Sequence, residues 1–533
     1  MKRLRFVLAL TLSLVAVIAP SRQAAAQSLS AALPADTVLY VRFNDIEEML
    51  TKIKSSPLKA IGATDDWNQL AGMVQGGWAQ AEAGARQELG IELTELISSC
   101  QGEIAIAVGG LGGIATAVGQ ALSTLEEPEI TTDMIPVLIS VDTKKSTATF
   151  LKNWSKIVAF AKQSGVPVKE EKVGSNPLTT FSRPEGETDG PEGIVVGQVG
   201  SRILFGLSPM FVKSTMKRLG STTISGGLAA DPLYKATAAK TGENGDMYMY
   251  VNLKSITSAV DGALSASMFA FFWQKAQQLL IGKSLNNMAV SMTVGNDGIH
   301  QKAFAHNSGA SDGMLGWLKT DPMDPVPSPL IPKNASTFSS LGVNGGQIVG
   351  VVREVIQTVL AFRGVGADVD TMVEQQVGVK LTDIEKALGK KAHIFQVDGA
   401  TPQNPFGDLT VTFELNDDGP FKKLLSKLSE LSQGQLANIE SKNGKPLYTA
   451  DTGLGFSPSF SATDKLFILG MSRRNVERVL TKIGSKTSEL GASKAFKKFS
   501  ADEWTQAGAD AGVCIQKIRS PEEGLTDPLL LAD

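Results

Sequence analysis

Cysteine is almost missing from this chain: Cys100 and Cys514 are the only two in 533 residues. That excludes a disulfide-stapled scaffold and any cysteine-rich zinc module. Each cysteine sits in or beside an apolar segment, so pairing in an oxidising compartment and burial as two thiols both stay open. Histidine is nearly as scarce, with only His300, His306 and His393. His300 and His306 lie six residues apart on a strand candidate. They share a face but are too far apart along it to hold one metal. There is no H-E-x-x-H pair, acidic Ca²⁺ loop or G-x-S-x-G elbow. Ser457, in Gly455-Phe-Ser-Pro-Ser459, lacks the second glycine of such an elbow. A Ser–His–acid triad would have to recruit one of the strand histidines. Paired acids such as Glu126-Glu127 and Asp417-Asp418 read as solvated loop residues. No catalytic, cofactor-binding or metal-ligating residue is assigned, and no cofactor is expected.

An excess of either charge is also missing. The formal net charge is −3, charged residues make up 20% and hydrophobic residues 42%. This is a globular composition that gives no electrostatic reason to bind nucleic acid. Long apolar runs are confined to the start. Lys2, Arg3 and Arg5 precede an uncharged stretch from Phe6 to Ala19, and Ala24-Ala25-Ala26 offers a small-residue cleavage site before Gln27. Residues 1–26 therefore read as a secretory signal cut after Ala26, the run being short for a membrane-spanning helix. Cutting there removes four basic residues and no acids, which takes the net charge from −3 to −7. The expected location is the periplasm, cell envelope or exterior, with no transmembrane segment after signal removal.

What is present is a strand–cap–helix unit that occurs twice. One copy runs from Ile203 to Gly220 and the other from Phe467 to Gly484. In each, an apolar strand leads to a serine, Ser208 or Ser472, at a helix N-cap position. Val212, Met216 and Leu219 then fall at helical spacing, as do Val476, Leu480 and Ile483. Gly220 and Gly484 follow, where a left-handed C-cap suits glycine. Other matches are collinear with this pair. Leu33-Pro-Ala-Asp-Thr37 resembles Ile331-Pro-Lys-Asn-Ala335, Gly90-Ile-Glu-Leu-Thr94 resembles Gly378-Val-Lys-Leu-Thr382, and Pro177-Leu-Thr-Thr180 resembles Pro446-Leu-Tyr-Thr449. From first to last the offset shrinks from 298 to 264, the mark of a tandem duplication with a trimmed second copy. The period is far longer than a solenoid repeat, so each copy should be a domain.

In chain order, Val38–Phe43 reads as a strand. Asn44 caps the following helix, in which Ile46, Met49, Leu50 and Ile53 form the stripe and Glu47 is placed for a capping box. A helical stretch then runs to about Glu88. Glu103–Val108 and Pro136–Val141 read as strands, and Phe150–Lys162 as a helix. Arg183–Gly193 is a surface loop, and Ser255–Leu285 reads as helical. Asn296-Asp-Gly298 marks a hairpin between Met288–Val294 and Ile299–Ala305. Gly110-Leu-Gly-Gly-Ile-Ala115 fits the G-x-G-x-x-A spacing of a dinucleotide loop, with Asp142 ending the next strand. A plain Gly-rich loop is favoured, because the matching stretch of the second copy shows no helix. Basic residues on the repeated helices (Lys213, Lys217, Arg218; Arg474, Arg478, Lys482) lie towards helix C-termini, where cations are favoured in any case.

The L-P-x-D-T-x-x-Y opening just after a signal, with the strand, serine cap and helix about 170 residues on, resembles a group of uncharacterised exported bacterial proteins. The resemblance covers both copies loosely and implies no activity. The expected fold is α+β: two tandem related domains, each a mainly antiparallel sheet with helices packed on one face. Expected boundaries are a signal at 1–26 and a first domain at 27–320, carrying a helical and hairpin extension at about 255–310. A Pro-rich linker at 321–332, a second domain at 333–518 and a tail at 519–533 complete the chain. The expected function is non-enzymatic binding of a macromolecule or cell-envelope component. The alternative is an enzyme with its site between the two domains, and a third reading is a purely structural subunit.

Overall fold

The computed structural model describes residues 28–56, 65–124, 127–184, 193–221, 226–265, 267, 270–277, 285–295, 298–307, 316–317, 328–335, 337–362, 368–397, 408–440, 443–450, 457–493 and 513–514. The expected signal, the tail at 519–533 and most of the Pro-rich linker lie outside these residues. The chain divides into two compact units. One comprises Met1–Gln277 and Lys283–Ala310, the other Gln278–Gly282 and Ser311–Asp533. Each is a sheet with helices, so the protein is α+β with two antiparallel sheets.

The first unit holds ten strands: β1 (Leu39–Phe43), β2 (Ile104–Val108), β3 (Val137–Asp142), β4 (Val168–Val173), β5 (Asn176–Ser182), β6 (Gly193–Val199), β7 (Arg202–Gly206), β8 (Met247–Val251), β9 (Leu285–Gly295) and β10 (Gly298–Asn307). Their order is β10-β9-β8-β1-β2-β3-β7-β6-β5-β4. Neighbours are antiparallel throughout. The strands β9 and β10 form the hairpin read from Asn296-Asp-Gly298, although residues 296–297 themselves lie outside the description.

Helices cover both faces of this sheet, which corrects the expectation of one. The reason is visible in β2: Ile104 and Ile106 point one way, Ala105 and Ala107 the other, and no polar face is left to meet water. On one side Phe150, Ile157 and Ala161 of the helix Thr147–Gln163 pack against Ile104, Val141, Ile203 and Phe205. On the other, Phe211, Val212 and Met216 of the helix Pro209–Leu219 meet Ala105, Leu138 and Leu204. Tyr234 from the helix Pro232–Thr241 and Leu29 from the short helix Leu29–Ala32 join them.

The second unit holds β11 (Thr337–Gly342), β12 (Leu388–Gln396), β13 (Thr410–Leu415), β14 (Leu436–Glu440), β15 (Pro446–Ala450), β16 (Ser459–Thr463), β17 (Leu466–Gly470) and the two-residue β18 (Val513–Cys514). Their order, β14-β15-β16-β17-β13-β12-β11-β18, repeats strand for strand the β4-β5-β6-β7-β3-β2-β1-β8 run of the first unit. Val476, Val479 and Leu480 of the helix Arg473–Lys482 cover one face through Phe338, Phe395 and Ile468. Phe421 and Leu425 of the helix Gly419–Leu431 cover the other through Leu415 and Ala462. Ile331, read as linker, is fully buried in the first of these cores.

The serine caps are in place. Ser208 accepts the Phe211 N–H and Ser472 the Asn475 N–H, both at 3.4 Å. Three local readings are corrected. The helix Ile46–Ser55 is capped by Asp45, which accepts the Glu48 N–H at 2.9 Å, and not by Asn44, whose N–H bonds the Asp246 carbonyl. Gly220 has φ −83°, so it is not left-handed, and a Cβ there would come within 3.0 Å of the Asn176 amide and 3.3 Å of the Met216 carbonyl. The continuous helix at Ser255–Leu285 is instead Leu253–Leu264 and Ala270–Ala276, with Leu285 already in β9 opposite Asn307. The pairing of β9 with β10 claims Leu285. No described helix is long and apolar enough to cross a membrane.

Candidate functional site

Antiparallel pairing brings the ends of β1 and β3 beside the starts of β2, β7 and β8. Five charged residues far apart in sequence, Arg42, Glu103, Asp142, Arg202 and Asp246, therefore meet at one pole of the first sheet. Arg42 is 6% exposed and Arg202 5%. Arg202 Nη1 donates to Glu103 Oε1 at 2.7 Å and to Ser140 Oγ at 3.2 Å. Arg42 Nη1 stands 3.9 Å from Glu103 Oε2 and 3.7 Å from Glu243 Oε1, and its Nη2 donates to the Glu243 carbonyl. Glu243 Oε1 also accepts from the Tyr234 hydroxyl at 2.7 Å and from Ser30 at 3.0 Å.

Four of the five tyrosines, Tyr40, Tyr234, Tyr248 and Tyr250, pack behind these pairs with neighbouring ring centroids 4.9–6.4 Å apart. Burial, reinforced by the Glu103 charge, holds the Tyr40 phenol well above its ordinary range. Outside them, Lys52 bonds Asp246 at 2.7 Å, and this contact raises the pKa of the amine. Asp246 also accepts the Val294 N–H at 2.7 Å. Lys144 reaches Asp45 at 3.2 Å, and Asp142 accepts from Ser201 at 2.7 Å.

The chemistry of this pole is that of a clasp. Arg42 and Arg202 balance Glu103 and Glu243, while Lys52 and Lys144 balance Asp246 and Asp45. Buried charges are tolerated when they are paired and hydrogen-bonded in this way. Among the described residues no group of three His, Cys, Asp or Glu side chains is arranged to hold a metal. Sequence reasoning missed the pole. Its one local signal was Arg42 at an inward position of an otherwise apolar strand.

In the second unit a buried serine, Ser340, stands where Arg42 stands in the first. Counting from Pro34 and Pro332, and from Gly206 and Gly470, the row Arg42–Ala105–Ser140–Leu204 corresponds to Ser340–His393–Thr412–Ile468. Ser340 Oγ lies 2.8 Å from His393 Nδ1, and both residues are buried. Burial, with the Lys391 charge added, pushes the imidazole down to about 4. Among the described residues no Asp or Glu is hydrogen-bonded or ion-paired to His393, so no Ser–His–acid triad is assembled around Ser340 there.

The remaining sequence candidates are each accounted for. The Asp36 carboxylate lies against Gly110, and Phe211 and Pro136 lie against Gly109, so these glycines make room for the protein's own side chains. In a dinucleotide fold parallel strands would place the loop and the following acid at one end. Here β2 and β3 are antiparallel, and Asp142 ends at the opposite pole. His300 is exposed on β10, and His306 Nδ1 lies 3.5 Å from the Asn286 amide. The basic helix faces are largely engaged within their own units: Lys213 with Glu171, Arg218 with the Gly226 carbonyl, Arg478 with Asp408 and Lys482 with Glu489. Cys100 is buried, and desolvation raises its thiol to about 12. No family model, no curated protein and no solved structure matches the chain.

Proposed function

We propose that the chain is an exported, non-enzymatic protein built from two copies of one domain, which binds a macromolecular partner or a cell-envelope component. The observation that carries this reading is the repeated order of eight strands, together with what the two units share. They have in common the serine caps, the turn after Pro34 or Pro332 and the apolar stripes. The Thr37 N–H bonds the Pro34 carbonyl as the Ala335 N–H bonds that of Pro332. The polar interiors differ at matching positions, with Arg42 beside Glu103 and Glu243 in one unit and Ser340 beside His393 in the other. Duplication that keeps packing and changes interior chemistry suits a scaffold that presents surfaces. The basic, apolar and Ala-rich start of the chain, and its resemblance to exported bacterial proteins, support the location.

The test is saturable binding of the purified chain from Gln27 onward to isolated envelope fractions, alongside a screen for hydrolytic turnover. The proposal expects saturable, competable co-sedimentation and no turnover. An activity that survives purification and is abolished by one substitution would overturn it and favour the enzyme reading.

A further inference from the structure

We infer that cleavage of the leader must precede folding of the first unit, because the folded core grips the chain within two residues of the cut. The inference rests on reading residues 1–26 as a cleaved leader. If the cut falls between Ala26 and Gln27, only Gln27 and Ser28 separate it from Leu29, which is 1% exposed.

The grip is extensive. Leu29 and Leu33 are buried in the same core as Val212, Met216 and Leu228, and Ala32 is fully buried. The Ser28 and Leu29 carbonyls accept the Ala31 and Leu33 N–H groups. Ser30 donates to Glu243 at 3.0 Å, which ties the segment to the ion-paired pole. Pro34 bridges to Gly227, the Leu228 N–H bonds the Leu33 carbonyl at 2.8 Å, and a Cβ on Gly227 would strike the Ala31 carbonyl. From Leu29 onward the chain is therefore interior structure.

A peptidase needs its substrate extended on both sides of the scissile bond. Two residues reach at most about 7 Å when fully extended. The enzyme cannot straddle the bond while Leu29 to Pro34 are docked. Cutting a folded precursor then requires this segment to open first, and the rate follows the small population of the open form. Cleavage during export, before the segment docks, escapes this limit.

The test uses the full precursor and purified bacterial signal peptidase in detergent, with product read at the Ala26–Gln27 bond. Enzyme is added either at the moment of dilution from urea or after folding is complete. The folded precursor should be cut about tenfold or more slowly than the freshly diluted one. A second precursor, with about ten Gly and Ser residues inserted between Gln27 and Ser28, adds reach beyond 30 Å and leaves the core sequence intact. Its folded form should be cut as fast as freshly diluted chain. Equal rates for folded and freshly diluted native precursor would overturn the ordering alone. Failure to cut any form at this bond would overturn the leader reading, and the ordering with it.

Discussion

At the scale of single residues, the buried pair Arg202–Glu103 is the costliest contact to break by halves. Arg202→Met leaves Glu103 facing only Arg42, 3.9 Å away. It should lower stability by about 3 kcal/mol in urea unfolding, while adding Glu103→Gln should restore much of that loss. His393 gives a pH signature. Its folded value of about 4 lies below the ordinary 6.5. Between those values the unfolded chain binds the proton and the folded one does not. The stability is therefore whole above about pH 6.5, declines as pH falls, and is lower by about 3 kcal/mol once pH is below 4. The difference between wild type and His393→Gln, followed by denaturant unfolding from pH 7 to 4, should show that slope. Little of this was legible in the sequence. Arg42, Glu103, Arg202 and Glu243 come from four separate stretches, and only the antiparallel pairing brings them together. Gly220 was readable as a helix end, but its nearness to Asn176 is a tertiary fact.

At the scale of elements, the repeated helices were legible because caps and stripes are local. Replacing Ser208 or Ser472 by alanine removes an acceptor for one first-turn N–H. Each change should cost about 1 kcal/mol, measured by thermal or urea unfolding. Asn44 and Asp45 are both good caps, and the choice fell to Asp45 because Asn44 is held by the Asp246 carbonyl. The break after Leu264 was missed because apolar content continues through Phe272, and pairing with β10 in the hairpin is what makes Leu285 a strand residue. The second helical layer was readable in principle. Ile104-Ala-Ile-Ala-Val108 has no polar face, and a strand apolar on both sides asks for cover on both.

At the scale of the whole molecule, the same order of eight strands occurs in both units, which accords with the duplication we propose from the collinear matches. The matches were turns, caps and strand ends, the positions where the frame constrains residue type most. The polar interiors left no such trace, because the frame tolerates Arg42 with Glu103 in one unit and Ser340 with His393 in the other. Among the described residues the first unit adds β9 and β10 beside β8, which the Asn296-Asp-Gly298 turn signalled. Backbone amide hydrogen exchange on the folded chain tests the shared frame most directly, since it reports which strands open last. The slowest amides should fall in β1, β2, β3 and β7 of the first unit and in their counterparts β11, β12, β13 and β17 of the second. Slow exchange confined to β14 and β15, with β12 and β13 exchanging freely, would contradict the shared frame.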